Sequence, residues 1–230
     1  MHTRWWISVC ALWLIVVPAT HAQVAASDKA AAEALFDRGL ALMREGKLDE
    51  ACARLEQSNA IERGIGTMLY LAECYEKQGR SASAWAVFRE AASEAQAAGQ
   101  FERANAGRLR AEKLEPVLSK LIVDVPDAVR VQGLEVTRNG APLASGLWGV
   151  PLPVDPGRLV IEARAPGYLP ASHTVTIERG PHQARYELPV LAAAPQPAVA
   201  ETPLVIAPVV AAPAEAPAPA PLREPGFNKV

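Results

Sequence analysis

Two patterns of apolar and polar positions divide the chain. Residues 27–115 contain no proline, and alanine and charged side chains are dense there, a composition that favours helices. Residues 116–189 regain proline and carry short β-branched runs between turn signals. In that second zone Leu159, Ile161 and Ala163 alternate with Arg158, Val160, Glu162 and Arg164 until Ala165, Pro166 and Gly167 break the run. A period of two predicts a half-buried strand. Val175 and Ile177 alternate likewise with Thr174, Thr176 and Glu178, and beyond a turn at Gly180 and Pro181 so do Ala184, Tyr186 and Leu188 with Gln183, Arg185 and Glu187. Residues 121–125 form a β-rich run stopped by Pro126, and Asn139 with Gly140 marks a hairpin turn after 134–137. About six strands over roughly 70 residues predict a small antiparallel sandwich.

The helical zone repeats itself. With Gly46 laid on Gly79, Gly39 falls on Ala72, Leu42 on Tyr75, Ala51 on Ala84 and Leu55 on Phe88. Small residues recur where paired helices must approach closely, and large apolar ones where the gap must be filled. Helices are predicted at 28–44, 47–61, 66–78 and 81–98, with Gly46 and Gly79 in the turns and a capping helix at 100–114.

In the second unit Leu71, Ala72, Tyr75, Ala84 and Phe88 resemble the tetratricopeptide (TPR) pattern, while the first unit carries Leu35 and Arg38 at two of its motif positions. The order Asn139 and Gly140, Pro151, Pro156 and Gly157, then Pro166, Gly167 and Tyr168 resembles the PEGA-type module, a small immunoglobulin-like domain of bacterial surface proteins. Val125, Pro126, Asp127 and Ala128 stand nearest to that module's Pro-Glu-Gly-Ala segment. Together the two zones resemble exported TPR proteins of Gram-negative envelopes. The resemblance implies an α+β multidomain chain: TPR-like helical hairpins at 27–115, a small antiparallel β-sandwich at 116–189 and a disordered Ala/Pro tail at 190–230.

The two ends of the sequence read differently from the middle. Arg4, the apolar run at 7–17 and the small-residue stretch up to Ala22 have the order of a signal peptide, residues 1–22, cut after Ala22. The run is too short to span a bilayer, which needs ~20 apolar residues. The other reading of this segment is an uncleaved anchor. Residues 190–230 hold nine prolines and twelve alanines with no helical or strand period, a composition that cannot bury a core. Relatives of this kind often pass from such a linker into a membrane segment, so membrane attachment stays open.

Charge and candidate chemistry narrow the function by subtraction. A formal charge of -2 supplies no basic field for nucleic acid. Serines lack a Gly-x-Ser-x-Gly elbow, and Gly64, Ile65 and Gly66 are followed by neither a third glycine nor Lys-Ser/Thr, so they read as the link between repeats. Glu33, Asp37, Asp49, Glu50, Glu73 and Glu76 read as solvated helix surface. His173 and His182 lie too far apart along a hairpin to share an ion. Neither a cofactor, a metal nor a catalytic residue is predicted. Trp85 with Phe88 reads as core, with a ligand box as the other reading, and Trp148 either packs on the helical zone or meets a ligand.

What remains is binding. By the TPR resemblance, the first helix of each unit lines a concave face, which assigns Phe36, Leu40, Met43, Arg44, Leu69, Glu73, Glu76 and Lys77 to a groove for a protein or peptide partner in the envelope. The competing reading covers Phe36 and Leu40 with the capping helix or the β domain. Cys52 and Cys74 lie on helices that are neighbours in a TPR stack, and they read either as a disulfide or as buried free thiols. The chain is expected to be a non-enzymatic exported adaptor of the periplasm or cell envelope. The alternative is an envelope module that contacts peptidoglycan or cell-wall polysaccharide through Trp148, Tyr168 and Tyr186 of the β domain.

Overall fold

In the computed structural model, residues 20–195 are described, and the expected signal peptide up to residue 19 and tail residues 196–230 lie outside them. Among the described residues the chain forms an α+β arrangement of five helices followed by two small sheets. The helices are α1 (Thr20–Arg44), α2 (Leu48–Ile61), α3 (Ile65–Gln78), α4 (Ser81–Ala97) and α5 (Phe101–Leu114). The strands are β1 (Ser119–Asp124), β2 (Glu135–Arg138), β3 (Ala141–Pro142), β4 (Leu152–Val154), β5 (Gly157–Arg164), β6 (Ala171–Ile177) and β7 (Gln183–Glu187). Helix α1 begins at Thr20, ahead of the expected residue 28, so the expected cut after Ala22 falls within its first turn.

Successive helices pack on one another, and all eight positions matched by the 33-residue spacing are buried, from Gly39 and Leu42 through Ala84 and Phe88. Gly39 shows why small residues recur: a Cβ there would lie 2.8 Å from Leu55 Cγ, inside van der Waals contact. The Ser58 hydroxyl, buried beneath α1, donates to the Ala32 carbonyl at 2.8 Å and fixes α2 against it. A disulfide joins Cys52 of α2 to Cys74 of α3, with Cα atoms 5.6 Å apart and both residues buried. It ties α2 to α3; in the chain-entropy model a bridge closing a loop of this length contributes about 3 kcal/mol.

The strands make two sheets, a three-stranded sheet of order β4-β1-β7 and a four-stranded sheet of order β3-β2-β5-β6. A shared core lies between them, with Leu121 and Val123 from β1 beside Val136, Ile161, Ala163 and Ile177 from the other sheet. The expected antiparallel pairing requires a correction, because β1 and β7 run parallel, Lys120 opposite Gln183 through Asp124 opposite Glu187. The turn at Gly180 and Pro181 is likewise no hairpin: it carries the chain from β6 in one sheet to β7 in the other. Buried Ser119 anchors that corner, its hydroxyl 2.8 Å from the Glu178 carbonyl and 2.6 Å from the Gly180 carbonyl. The boundary with the tail also moves. Leu191 is buried in the β core, Leu169 N–H donates to the Ala192 carbonyl and Ala194 N–H to the Gly167 carbonyl, so residues 191–194 belong with the β region rather than the tail.

Two charged residues of the β region meet the turn between α3 and α4. Helix α4 is preceded by Arg80, whose side chain has no acceptor and does not cap the first turn. Asp155, just past β4, does so instead: its Oδ1 accepts the Ser83 N–H at 2.9 Å, and its Oδ2 accepts the Ser83 hydroxyl and the Arg80 Nε–H, the latter at 3.4 Å. At the other helix end Gly79 takes φ 78°, the left-handed conformation that lets the Arg80 N–H reach the Tyr75 carbonyl. The Arg179 guanidinium packs where a Gly79 Cβ would stand. An anion thus sits at the N-terminus of α4 and a cation at the C-terminus of α3, each of the sign the helix dipole favours.

Candidate functional site

An opening on the helical region is walled by α3 and α5, with Phe36 of α1 beside it. On α3, Leu69 is half-buried and Tyr70 is 43% exposed. Phe36 of α1 meets the Tyr70 ring edge-on, 5.5 Å between centroids. Beside them a groove of about 350 Å³ is lined by Leu69, Tyr70 and Glu73 of α3 and by Arg103, Ala106 and Arg110 of α5, with Phe88 at its base. The Arg110 guanidinium lies over the Phe88 ring at 5.0 Å and donates to Glu76 Oε2 through Nη2 at 2.7 Å and Nε at 3.2 Å. Glu73 pairs with Lys77 one turn on, at 3.4 Å.

The eight residues assigned to the groove from sequence therefore divide. Leu69 and Glu73 line it, Phe36 touches it only through the Tyr70 ring, and Glu76 holds one of its arginines. Lys77 is exposed and occupied by Glu73, and Arg44 is exposed at the end of α1. Leu40 is half-buried, and Phe36, Met43 and Leu69 pack partly against the helical core, which gives them a structural share as well. Sequence reasoning missed Tyr70, Arg103 and Arg110. The last two were assigned to a helix that merely caps the stack, whereas α5 forms one wall of the groove. The apolar Ala104, Gly107 and Ala111 stripe that seats α5 on α4 is the signal that orients Ala106 and Arg110 the other way.

The other side chains of interest settle into packing. Phe88 is buried, and Trp85 is half-buried with the Arg89 guanidinium 4.9 Å from its ring. Trp148 packs against the β core rather than on the helices, its Nε1–H donating to the Leu143 carbonyl at 3.1 Å. Tyr168 and Tyr186 are half-buried against the same core, and His173 stacks on Tyr186 at 4.6 Å. Burial pushes the Tyr186 phenol up from its ordinary value. Among the described residues no group of three His, Cys, Asp or Glu side chains is placed to hold a metal ion, and no helix is long and apolar enough to cross a membrane. No family model matches the chain, and no curated protein matches it significantly.

Proposed function

We propose that the chain is a non-enzymatic exported adaptor whose helices are TPR-like hairpins, whose β region is a PEGA-like sandwich, and whose concave helical groove takes a peptide or helix of an envelope protein. The observation that carries this reading is the groove itself: an exposed aromatic, Tyr70, between the half-buried Phe36 and Leu69, facing Arg103 and Arg110 across an opening of about 350 Å³. An apolar anchor flanked by fixed charge is how helical grooves recognise short partner segments. The buried disulfide supports an oxidising compartment. The polysaccharide alternative draws no support from Trp148, Tyr168 and Tyr186, which are half-buried in the β core rather than arrayed on a face.

The test is a photo-crosslinking amino acid placed at Tyr70 in the full chain, exported in a Gram-negative host, with a second placement at exposed Leu169 for comparison. The expected result is a discrete protein adduct from position 70, absent from position 169 and lost when Arg103→Glu is added, with unchanged circular dichroism. Adducts that are equal at both positions, or absent from position 70, would sink the groove reading.

A further inference from the structure

A second opening, of about 470 Å³, lies where the start of α4 faces the β region. Three arginines line it, Arg80, Arg138 and Arg158, against one acid, Asp155. That acid is already engaged by the Ser83 N–H, the Ser83 hydroxyl and Arg80. Arg80 is engaged as well, lying 4.0 Å over the Tyr75 ring and 3.4 Å from Glu56. The Arg138 and Arg158 side chains, by contrast, have no hydrogen bond or ion pair among the described residues.

The position of Arg138 is the informative one. In the β2-β5 register Val136 is opposite Ala163 and Arg138 opposite Ile161, and Val136, Ala163 and Ile161 are all buried. Arg138 therefore occupies the inward-facing row of its sheet, at the end where that row opens into the cleft. A half-buried guanidinium without a counter-charge is costly, and a carboxylate brought by a ligand would offset that cost with paired, charge-assisted hydrogen bonds.

We propose that this cleft is a binding site for an acidic peptide segment whose carboxylates pair with Arg138 and Arg158. Between the arginines the walls are aliphatic, from Ala82, Ala86, Pro153, Pro156 and Leu159, and suit the apolar parts of a peptide. No aromatic ring lines the cleft, so a sugar ring finds no stacking face there, and a flat bilayer cannot enter a concavity. Asn139 adds a donor: its Oδ1 accepts the Val160 N–H at 2.8 Å, which leaves the amide N–H groups for a peptide carbonyl. The site lies apart from the α3–α5 groove and does not depend on what that groove binds.

The experiment follows the fluorescence anisotropy of labelled hexaglutamate mixed with the full chain, with labelled hexalysine as the opposite-charge probe. Saturable binding of hexaglutamate that weakens with salt is expected, with none of hexalysine. Arg158→Glu and Arg138→Gln should each weaken binding about tenfold, as loss of a charge-assisted hydrogen bond does, while Arg54→Glu, on the exposed face of α2, should leave it intact. Arg158 is exposed, so its variant keeps the test valid should Arg138→Gln unfold the chain. Three results would each overturn the proposal: no saturable hexaglutamate binding, equal loss with Arg54→Glu, or tighter binding of phosphatidylglycerol vesicles or a heparin oligosaccharide than of the peptide.

Discussion

Removing the Asp155 carboxylate should uncouple the first turn of α4 from the β region. The side chain is 22% exposed, so water replaces much of what it gives to the Ser83 N–H and hydroxyl. Loss of a capping acceptor costs about 1 kcal/mol. Loss of its charge at a helix N-terminus costs a further 0.3–1 kcal/mol or so. The contact with the Arg80 side chain, at 3.4 Å and 41% exposed, adds little. Asp155→Ala is therefore expected to destabilise by roughly 1.3–2 kcal/mol, or a melting shift of about 3–8 °C for a unit of this size. Asp155→Asn keeps an acceptor at Oδ1 and discards the charge, so it should cost about half as much. Urea unfolding followed by circular dichroism, run on Asp155→Ala, Ser83→Ala and the double variant, isolates the pair; a coupling of about 0.5–1 kcal/mol is expected. An Asp155→Ala cost below about 0.5 kcal/mol would refute the capping account, since that is the range of an ordinary surface substitution. So would an Asp155→Asn cost equal to that of alanine, because the retained acceptor would then contribute nothing.

Replacing both Cys52 and Cys74 with alanine should lower unfolding stability by about 3 kcal/mol through the freed denatured chain, with a steeper denaturant dependence; an unchanged urea midpoint would exclude a stapling role. The Tyr75 phenol is pushed above its ordinary range by burial first and by its hydrogen bond to Glu56 second. An unfolded tyrosine ionises near pH 10 while the folded one keeps its proton, so this contribution is full below about pH 10 and is lost as pH rises above it. Tyr75→Phe should flatten the alkaline decline of unfolding free energy, and an unchanged slope would exclude Tyr75 as its source.

Much of the helical architecture was legible because its determinants are local. The absence of proline, the glycines at 46 and 79 and the 33-residue coincidences all act within one or two helices, and the helix ends fall within about three residues of expectation except at the start of α1. Strand periods were legible for the same reason, as Ile161, Ala163 and Ile177 turned inward where alternation put them. Strand partners were not. The β1-β7 pairing joins residues some 60 positions apart, and alternation is the same for a parallel or an antiparallel neighbour. Strand β4 escaped notice because Pro153 interrupts its apolar run. It lies at a sheet edge, where the outward-facing N–H groups have no ladder partner and proline is tolerated.

The groove and the cleft were only partly legible for a related reason. Phe36, Leu69 and Glu73 were reached only through the TPR resemblance, whereas Arg103 and Arg110 enter through the packing of α5, and Asp155 meets Ser83 across 72 positions of sequence. Contacts of that kind depend on how finished elements dock, which no local period encodes.

The parallel pairing of β1 and β7 has a mechanical consequence. β1 follows directly from the helices at its N-terminal end, and the chain leaves β7 from its C-terminal end toward residue 191. Tension applied between the helices and that exit pulls the two strands in opposite directions along their common axis. Their five paired positions then share the load in shear and must give way together, whereas an antiparallel hairpin pulled from its open end unzips one bond at a time.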